Sequence, residues 1–168
     1  MNWGGQMTEQ EGDLSLFKYA SGEVTTNDYY TPKWLFDAMG VSFDIDVAAP
    51  PSGIPWIPAK KWFSQVDDGL AQNWGGAFVW MNPPFSHVTP WARKFIENNN
   101  GLALMVVSRS KWFEELWECS DAIMATPKDL KFMRPNENPK AISFQTFLFA
   151  LGSQGVQALK NTKLARVR

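Results

Sequence analysis

Two polar positions stand where apolar runs stop. Asn82, followed by Pro83, Pro84 and Phe85, closes the run GAFVWM, and Asp46, followed by Val47, Ala48, Ala49 and two prolines, closes SFDI. The Asn-Pro-Pro-Phe cluster suits chemistry at a planar amine. The exocyclic nitrogen of adenine is a poor nucleophile because its lone pair is delocalised into the ring. Two acceptors that take both amino hydrogens favour a more tetrahedral nitrogen and free that lone pair. The Asn82 side-chain oxygen and the Pro83 carbonyl are such a pair, and the prolines hold the second acceptor with little reorganisation. Phe85 offers a face for a base, an interaction worth roughly 1–3 kcal/mol in nucleic-acid complexes. Taken alone, the four residues would also serve as a stiff turn after a strand.

The elements that must position these residues follow from periodicity and punctuation. TPKWLFDAMG reads as a helix with Thr31 as N-cap, Pro32 first and Gly40 as the stop. VSFDIDVAAP is a strand, residues 50–58 a Pro/Gly-rich loop, AKKWFS a brief strand and DDGLAQNW a turn. GAFVWMN is a buried strand ending at Asn82, and TPWARKFIENNNG a helix with Thr89 as N-cap and Gly101 after it. LALMVVS, apolar throughout, reads as a fully buried strand; SKWFEELWECS is helical, DAIMATP a strand and AISFQTFLFALG a long strand. This alternation implies an α/β fold with a mostly parallel sheet. In such sheets ligands sit beyond the carboxyl ends of strands, which is where Asp46 and Asn82 fall. Residues 1–28 are expected to be an irregular arm, 29–152 the globular domain and 153–168 a basic tail.

At 168 residues the chain is one domain by length, and its 45% hydrophobic and 20% charged residues are a globular balance. One cysteine, Cys119, and one histidine, His87, exclude a disulfide within the chain and leave no cluster for a metal. No signal peptide or apolar run of transmembrane length is visible, so a cytoplasmic protein is expected, with no membrane partner. Charge is uneven: residues 1–84 carry four Lys/Arg against ten Asp/Glu, and residues 85–168 carry twelve against seven. Such a split arises by chance or marks a polyanion-binding face, and on the second reading Arg109, Lys111, Lys131 and Arg134 are the cations expected to meet the polyanion.

The ordered blocks YTPKWLFDAMGVSFDIDVAAP, DDGLAQNWGGAFVWMNPPFS with WARKF, and SRSKWFEELWECSDAI with LKFMRP resemble the phage-type DNA N6-adenine methyltransferase (Dam-like) family over roughly residues 29 to 150. The resemblance implies an abbreviated Rossmann-like methyltransferase fold with helices on both faces of the sheet, and S-adenosylmethionine as cofactor. It implies catalytic roles for Asn82, Pro83, Pro84 and Phe85, and a cofactor loop at Asp46, Ala48 and Ala49. Tyr30, Thr31 and Pro32 would close over the cofactor, and Asp68 would meet its adenine amine. Double-stranded DNA, entered by base flipping and with GATC as the target the resemblance suggests, would be the substrate of a monomer or weak homodimer.

The chain departs from the family pattern in two places. DVAAPP stands where a Gly-x-Gly loop is usual, and only 36 residues separate Asp46 from Asn82, too few for several strand–helix units. The sheet must therefore be abbreviated or its inner strands very short. Asp67 and Asp68 are both candidates for the cofactor ribose. Two other readings use the same residues: a methyltransferase acting on RNA adenine or a protein amide, and a non-catalytic DNA-binding relic of the fold.

Overall fold

The computed structural model describes residues 28–164. Residues 1–27 of the arm expected over 1–28, and the end of the tail, 165–168, lie outside the described residues. The elements run α1 (Lys33–Met39), β1 (Phe43–Asp46), β2 (Ala59–Trp62), β3 (Val79–Met81), α2 (Val88–Asn98), β4 (Gly101–Val106), α3 (Lys111–Cys119), β5 (Ala122–Ala125), β6 (Lys131–Arg134), β7 (Glu137–Ala141), β8 (Thr146–Leu151) and α4 (Ser153–Thr162).

Six strands form one sheet in the order β2-β1-β3-β4-β8-β5, and β6 pairs with β7 as a separate hairpin. The β2, β1, β3 and β4 pairings are parallel, whereas β8 runs antiparallel to both β4 and β5. This is the expected Rossmann-like α/β architecture with a mostly parallel sheet. The shortage of residues between Asp46 and Asn82 is met by short strands and by crossovers without helices. β1 and β2 have four residues each and β3 has three. Residues 47–58 and 63–78 connect them through turns and irregular chain.

The sheet separates two cores because successive side chains point to opposite faces. On β3 and β4, Trp80, Leu102 and Leu104 face α1 and α4, whereas Val79, Met81, Ala103 and Met105 face α2 and α3. Strand β8 does the same with Leu148 and Ala150 against Phe149 and Leu151. Around Trp80 the first core is aromatic: Phe36 lies edge-on at 4.8 Å, and Phe43 stacks on Phe78 at 4.9 Å. Pairs of this kind add about 0.5–1.5 kcal/mol each beyond burial. Trp80 thereby ties the strand that precedes Asn82 to α1.

Several boundaries differ from expectation. The N-cap of α1 is Pro32, one residue later than Thr31, which is wholly buried. Gly40 does end the helix, in the left-handed conformation, donating its N–H to the Phe36 carbonyl. In α2 the N-cap position belongs to His87, not Thr89, and Asn99 in the left-handed conformation ends the helix. Gly101 is then the first residue of β4. The long strand expected over 141–152 is divided, with Ala141 closing β7 and Thr146 opening β8.

Two elements were not foreseen. The β6–β7 hairpin closes where Arg134 pairs with Glu137 across Pro135 and Asn136, the latter at φ 56°. A type II turn favours this proline–asparagine order. The segment 153–162, expected within the basic tail, is α4, whose Ala158, Leu159 and Thr162 are buried. Asn161 Nδ2 donates to the Met39 carbonyl at 2.8 Å and anchors α4 to the end of α1. Among the described residues no helix is long and apolar enough to cross a membrane, and no three His, Cys, Asp or Glu residues are grouped to hold a metal.

Candidate active site

The chain leaves β1 for β2 on one side, then crosses to β3 on the other, so the strand order reverses between β1 and β3. A crevice forms beyond the carboxyl ends of strands at such a point. Asp46 is the last residue of β1 and pairs with Trp80, two residues before Asn82. One cavity at this edge is lined by Tyr30, Asp46, Ala48, Ile54, Ile57, Trp80, Asn82 and Pro84. A second, lined by Asp46, Ser52, Gly53, Ile54, Pro55, Ile57, Ala59 and Trp62, shares Asp46, Ile54 and Ile57 with the first. Together they make a cleft with Asn82 toward one end, Trp62 toward the other, and the Asp46 carboxyl between them.

Asn82 owes its place to the prolines that follow it. β3 pairs with β4 as far as Met81, and prolines at 83 and 84 cannot donate to a ladder. A residue before proline is held extended, which carries the chain straight out of the strand. The Asn82 side chain donates from Nδ2 to the Tyr29 carbonyl at 2.7 Å. Since that carbonyl can only accept, the amide must present its NH2 there, and Oδ1 is the end left for a ligand. Pro83 is buried, and none of the described residues donates to its carbonyl. Phe85 is partly buried against the core that contains α1 and α4.

Asp46 is 3% exposed, and its Oδ1 accepts the Ala48 N–H at 3.2 Å. Burial pushes its carboxyl up to about 7, and the Ala48 hydrogen bond acts in the opposite direction. A carboxyl held in this way gains from any ligand hydroxyl or ammonium that donates to it. Ala48 lines the cleft with its small side chain, whereas Ala49 is buried and donates its N–H to the Phe63 carbonyl at 2.9 Å. Tyr30 lines the cleft, its hydroxyl donating to Asp28 Oδ1 at 2.9 Å. The Thr31 carbonyl accepts the Trp56 indole N–H at 2.9 Å, and its buried Oγ1 has no partner among the described residues. Pro32 starts α1 behind this segment.

The two aspartates of DDGL are in a turn outside the cleft lining. Asp68, at φ 52°, accepts the Ala71 N–H on Oδ1 at 3.4 Å. Asp67 Oδ2 accepts the Ser64 N–H at 2.8 Å and the Ser64 hydroxyl at 2.7 Å, bonds that hold its carboxyl below the usual range. This turn is pressed onto the loop after β1: a Cβ on Gly69 would lie 2.1 Å from the Val47 carbonyl oxygen, so only glycine fits.

The expected DNA-contacting cations occupy different environments. Arg109, in the loop after β4, and Lys131, at the start of β6, are exposed, and so is Lys111 at the start of α3, 3.6 Å from Glu115. Arg134 has an 11% exposed side chain, with its guanidinium over the Tyr29 ring. Sequence reasoning missed Ile54 and Ile57 in the cleft lining and Tyr29, whose carbonyl holds the Asn82 amide; Trp62, by default a core residue in a tryptophan set of which one or two were expected near the site, lines the cleft and is exposed. The only cue for the isoleucines was two β-branched apolar residues inside a loop otherwise built of Pro, Gly, Ser and Trp56.

These residues fit S-adenosylmethionine by the chemistry they present. The cleft is elongated, its Ile54, Ile57 and Trp62 walls suit an apolar ring, and the Asp46 carboxyl awaits donors such as ribose hydroxyls or an ammonium.

A DNA N-6-adenine-methyltransferase of Haemophilus phage HP1 (strain HP1c1) is 28% identical over 94 residues, covering 50% of this chain and 53% of the relative. The chain thus spans about half the length of that curated relative. No solved structure matches it significantly. The model of the DNA N-6-adenine-methyltransferase (Dam) family matches residues 22–144, which include α1, the whole cleft, Asn82-Pro83-Pro84-Phe85 and the β6–β7 hairpin. With most of its length matched, and the matched part building the cleft, the chain belongs to the DNA N-6-adenine-methyltransferase (Dam) family.

Proposed function

We propose that the chain transfers a methyl group to N6 of adenine in double-stranded DNA. The observation that carries this is the 2.7 Å bond from Asn82 Nδ2 to the Tyr29 carbonyl, which leaves the amide oxygen for an incoming amine. Asn82 Oδ1 and the Pro83 carbonyl accept the two N6 hydrogens and draw the nitrogen toward a tetrahedral, nucleophilic state. Because both acceptors are held by packing and by proline, little reorganisation is needed as charge develops on nitrogen. Phe85 stacks on a base rotated out of the duplex, since N6 is out of reach inside it.

S-adenosylmethionine, when bound, supplies the methyl group as an activated sulfonium. Asp46 accepts from its donors, Ala48 permits close approach, and Ile54, Ile57 and Trp62 give apolar walls and exclude water. Tyr30 closes the end of the cleft toward Asn82, with Thr31 and Pro32 behind it. Arg109, Lys111 and Lys131 meet phosphates, and GATC, suggested by the resemblance, is the first duplex to test.

Labelled methyl transfer to duplex DNA, RNA and protein acceptors, with the product digested to nucleosides, tests the proposal. N6-methyladenine from duplex DNA is the expected product, and methylated RNA or protein in its place would overturn it. Calorimetric binding of S-adenosylmethionine excludes the relic reading. Asn82→Ala should lower the single-turnover rate by at least roughly 10²–10³, the loss seen when a comparable charge-stabilising group is removed. A near-wild-type rate in the folded variant would refute the role of Asn82.

A further inference from the structure

The Tyr29 carbonyl that orients Asn82 is itself held from the far side of the chain. Tyr30 forms an antiparallel bridge with Met133: its N–H donates to the Met133 carbonyl at 2.9 Å, and the Met133 N–H returns to the Tyr30 carbonyl at 2.8 Å. Tyr30 is therefore bridged to β6 of the β6–β7 hairpin, with Tyr29 next to it in the chain. The Tyr29 ring lies edge-on to Phe132 at 6.1 Å. The Arg134 guanidinium lies over the same ring at 4.7 Å and donates from Nη1 to its hydroxyl at 3.3 Å. Glu137 Oε2 lies 3.3 Å from Arg134 Nε, an ion pair with a half-exposed carboxylate that makes no hydrogen bond to Nε.

We propose that Arg134 is a positioning residue for Asn82, acting through Tyr29; this rests on reading Asn82 as the acceptor of the target amine. A planar guanidinium stacked on the ring restrains the side chain of residue 29 and, with the Met133 bridge, the backbone whose carbonyl takes the Asn82 NH2. If residue 29 moves, the amide of Asn82 loses the one bond among the described residues that tells its two ends apart, and Oδ1 no longer faces the ligand by default. The sequence separation explains why the link is invisible in the chain: Tyr29, Asn82 and Arg134 are 53 and 105 residues apart in the two contacts that join them. The hairpin that carries Lys131 is thereby coupled to the catalytic side chain, so occupation of one bears on the other.

The test compares Arg134→Ala, Arg134→Lys, Tyr29→Ala and Tyr29→Phe in the full chain. At saturating duplex and S-adenosylmethionine, Arg134→Ala should slow single-turnover transfer roughly 10–10² fold, the scale of loss for small misplacements of reacting groups. Arg134→Lys keeps the charge but not the planar stack, so it should remain slow. Tyr29→Phe keeps ring and carbonyl but loses the Arg134 hydrogen bond, so it should slow transfer less than Tyr29→Ala does. Tyr29→Ala should match Arg134→Ala, and the double variant should be no slower than either, because both remove one device. Rescue by lysine, together with a salt slope reduced by about one ion, would show a phosphate contact and overturn the proposal. So would multiplicative losses in the double variant. A second readout is independent of turnover: hydrogen exchange of the Asn82 side-chain NH2, assigned by its absence in Asn82→Ala. Exchange should quicken roughly tenfold or more in Arg134→Ala, as expected when a local restraint opens. Unchanged exchange would overturn the proposal. Quickened exchange in a protein that does not methylate DNA would sustain it and refute the proposed function instead.

Discussion

Asp46→Asn should make the protein more stable at neutral pH while weakening the cleft's hold on its cofactor. The native carboxyl is buried, accepts one backbone N–H, and is pushed up to about 7 from an ordinary 3.8. Below 3.8 the group is protonated in both folded and unfolded chains and has no effect on pH dependence. Between 3.8 and about 7 the unfolded carboxyl ionises while the folded one keeps its proton, so stability falls as pH rises. Above about 7 both forms are ionised and the loss is complete. At about 1.4 kcal/mol per unit over about three units, the loss reaches about 4 kcal/mol. Asparagine retains an oxygen for the Ala48 N–H and has no proton to exchange. Urea denaturation should therefore show the advantage of Asp46→Asn over wild type growing by about 3 kcal/mol between pH 5 and pH 8. Calorimetry at pH 6, in buffers of different ionisation enthalpy, should show proton release when S-adenosylmethionine binds wild type, since donors to Asp46 favour its ionised form. The variant should bind more weakly and release none. A stability difference that stays flat across this range, or a variant less stable at pH 8, would refute the reasoning.

Other outcomes follow from the same geometry. Phe85→Tyr should keep most activity because the stacking face survives, whereas Phe85→Ala should weaken productive DNA capture by roughly 1–3 kcal/mol, measurable as a raised KM for duplex. Replacing exposed Lys111 and Lys131 with alanine should flatten the dependence of log affinity on log salt by up to about two ions, with single-turnover rate at saturating DNA retained. Gly69→Ala places a Cβ 2.1 Å from the Val47 carbonyl oxygen, which is backbone and must shift. It should lower Tm and cofactor affinity together; a variant unchanged in both would show that the DDGL turn does not support the loop after β1.

Much of the site was legible because proline and glycine act locally. Pro83 and Pro84 cannot continue a ladder, so the end of β3 and the exit of Asn82 could be read from four letters. The uniformly apolar run over 102–106 likewise announced a strand buried on both faces, as β4 is. α4 was missed because its Lys160 and the cations after it suggested a solvated tail. Yet Gly155, Ala158, Leu159 and Thr162 keep helical spacing and are all buried. The hairpin was missed because Pro135 and Pro139 interrupt any strand pattern, and only an edge pair beside Tyr30 tolerates them.

The residue types at 46 and 82, their places at strand ends and the stiffness after Asn82 are properties of the local sequence, since they depend on neighbours within a few residues. Their adjacency is not. It arises because β1 and β3 pair side by side while β2 is sent to the outer edge, a choice made by long-range packing. The antiparallel place of β8 between β4 and β5 has the same origin. So does the orientation of the Asn82 amide: an asparagine side chain has a donor end and an acceptor end, and a carbonyl 53 residues away decides which one faces the ligand.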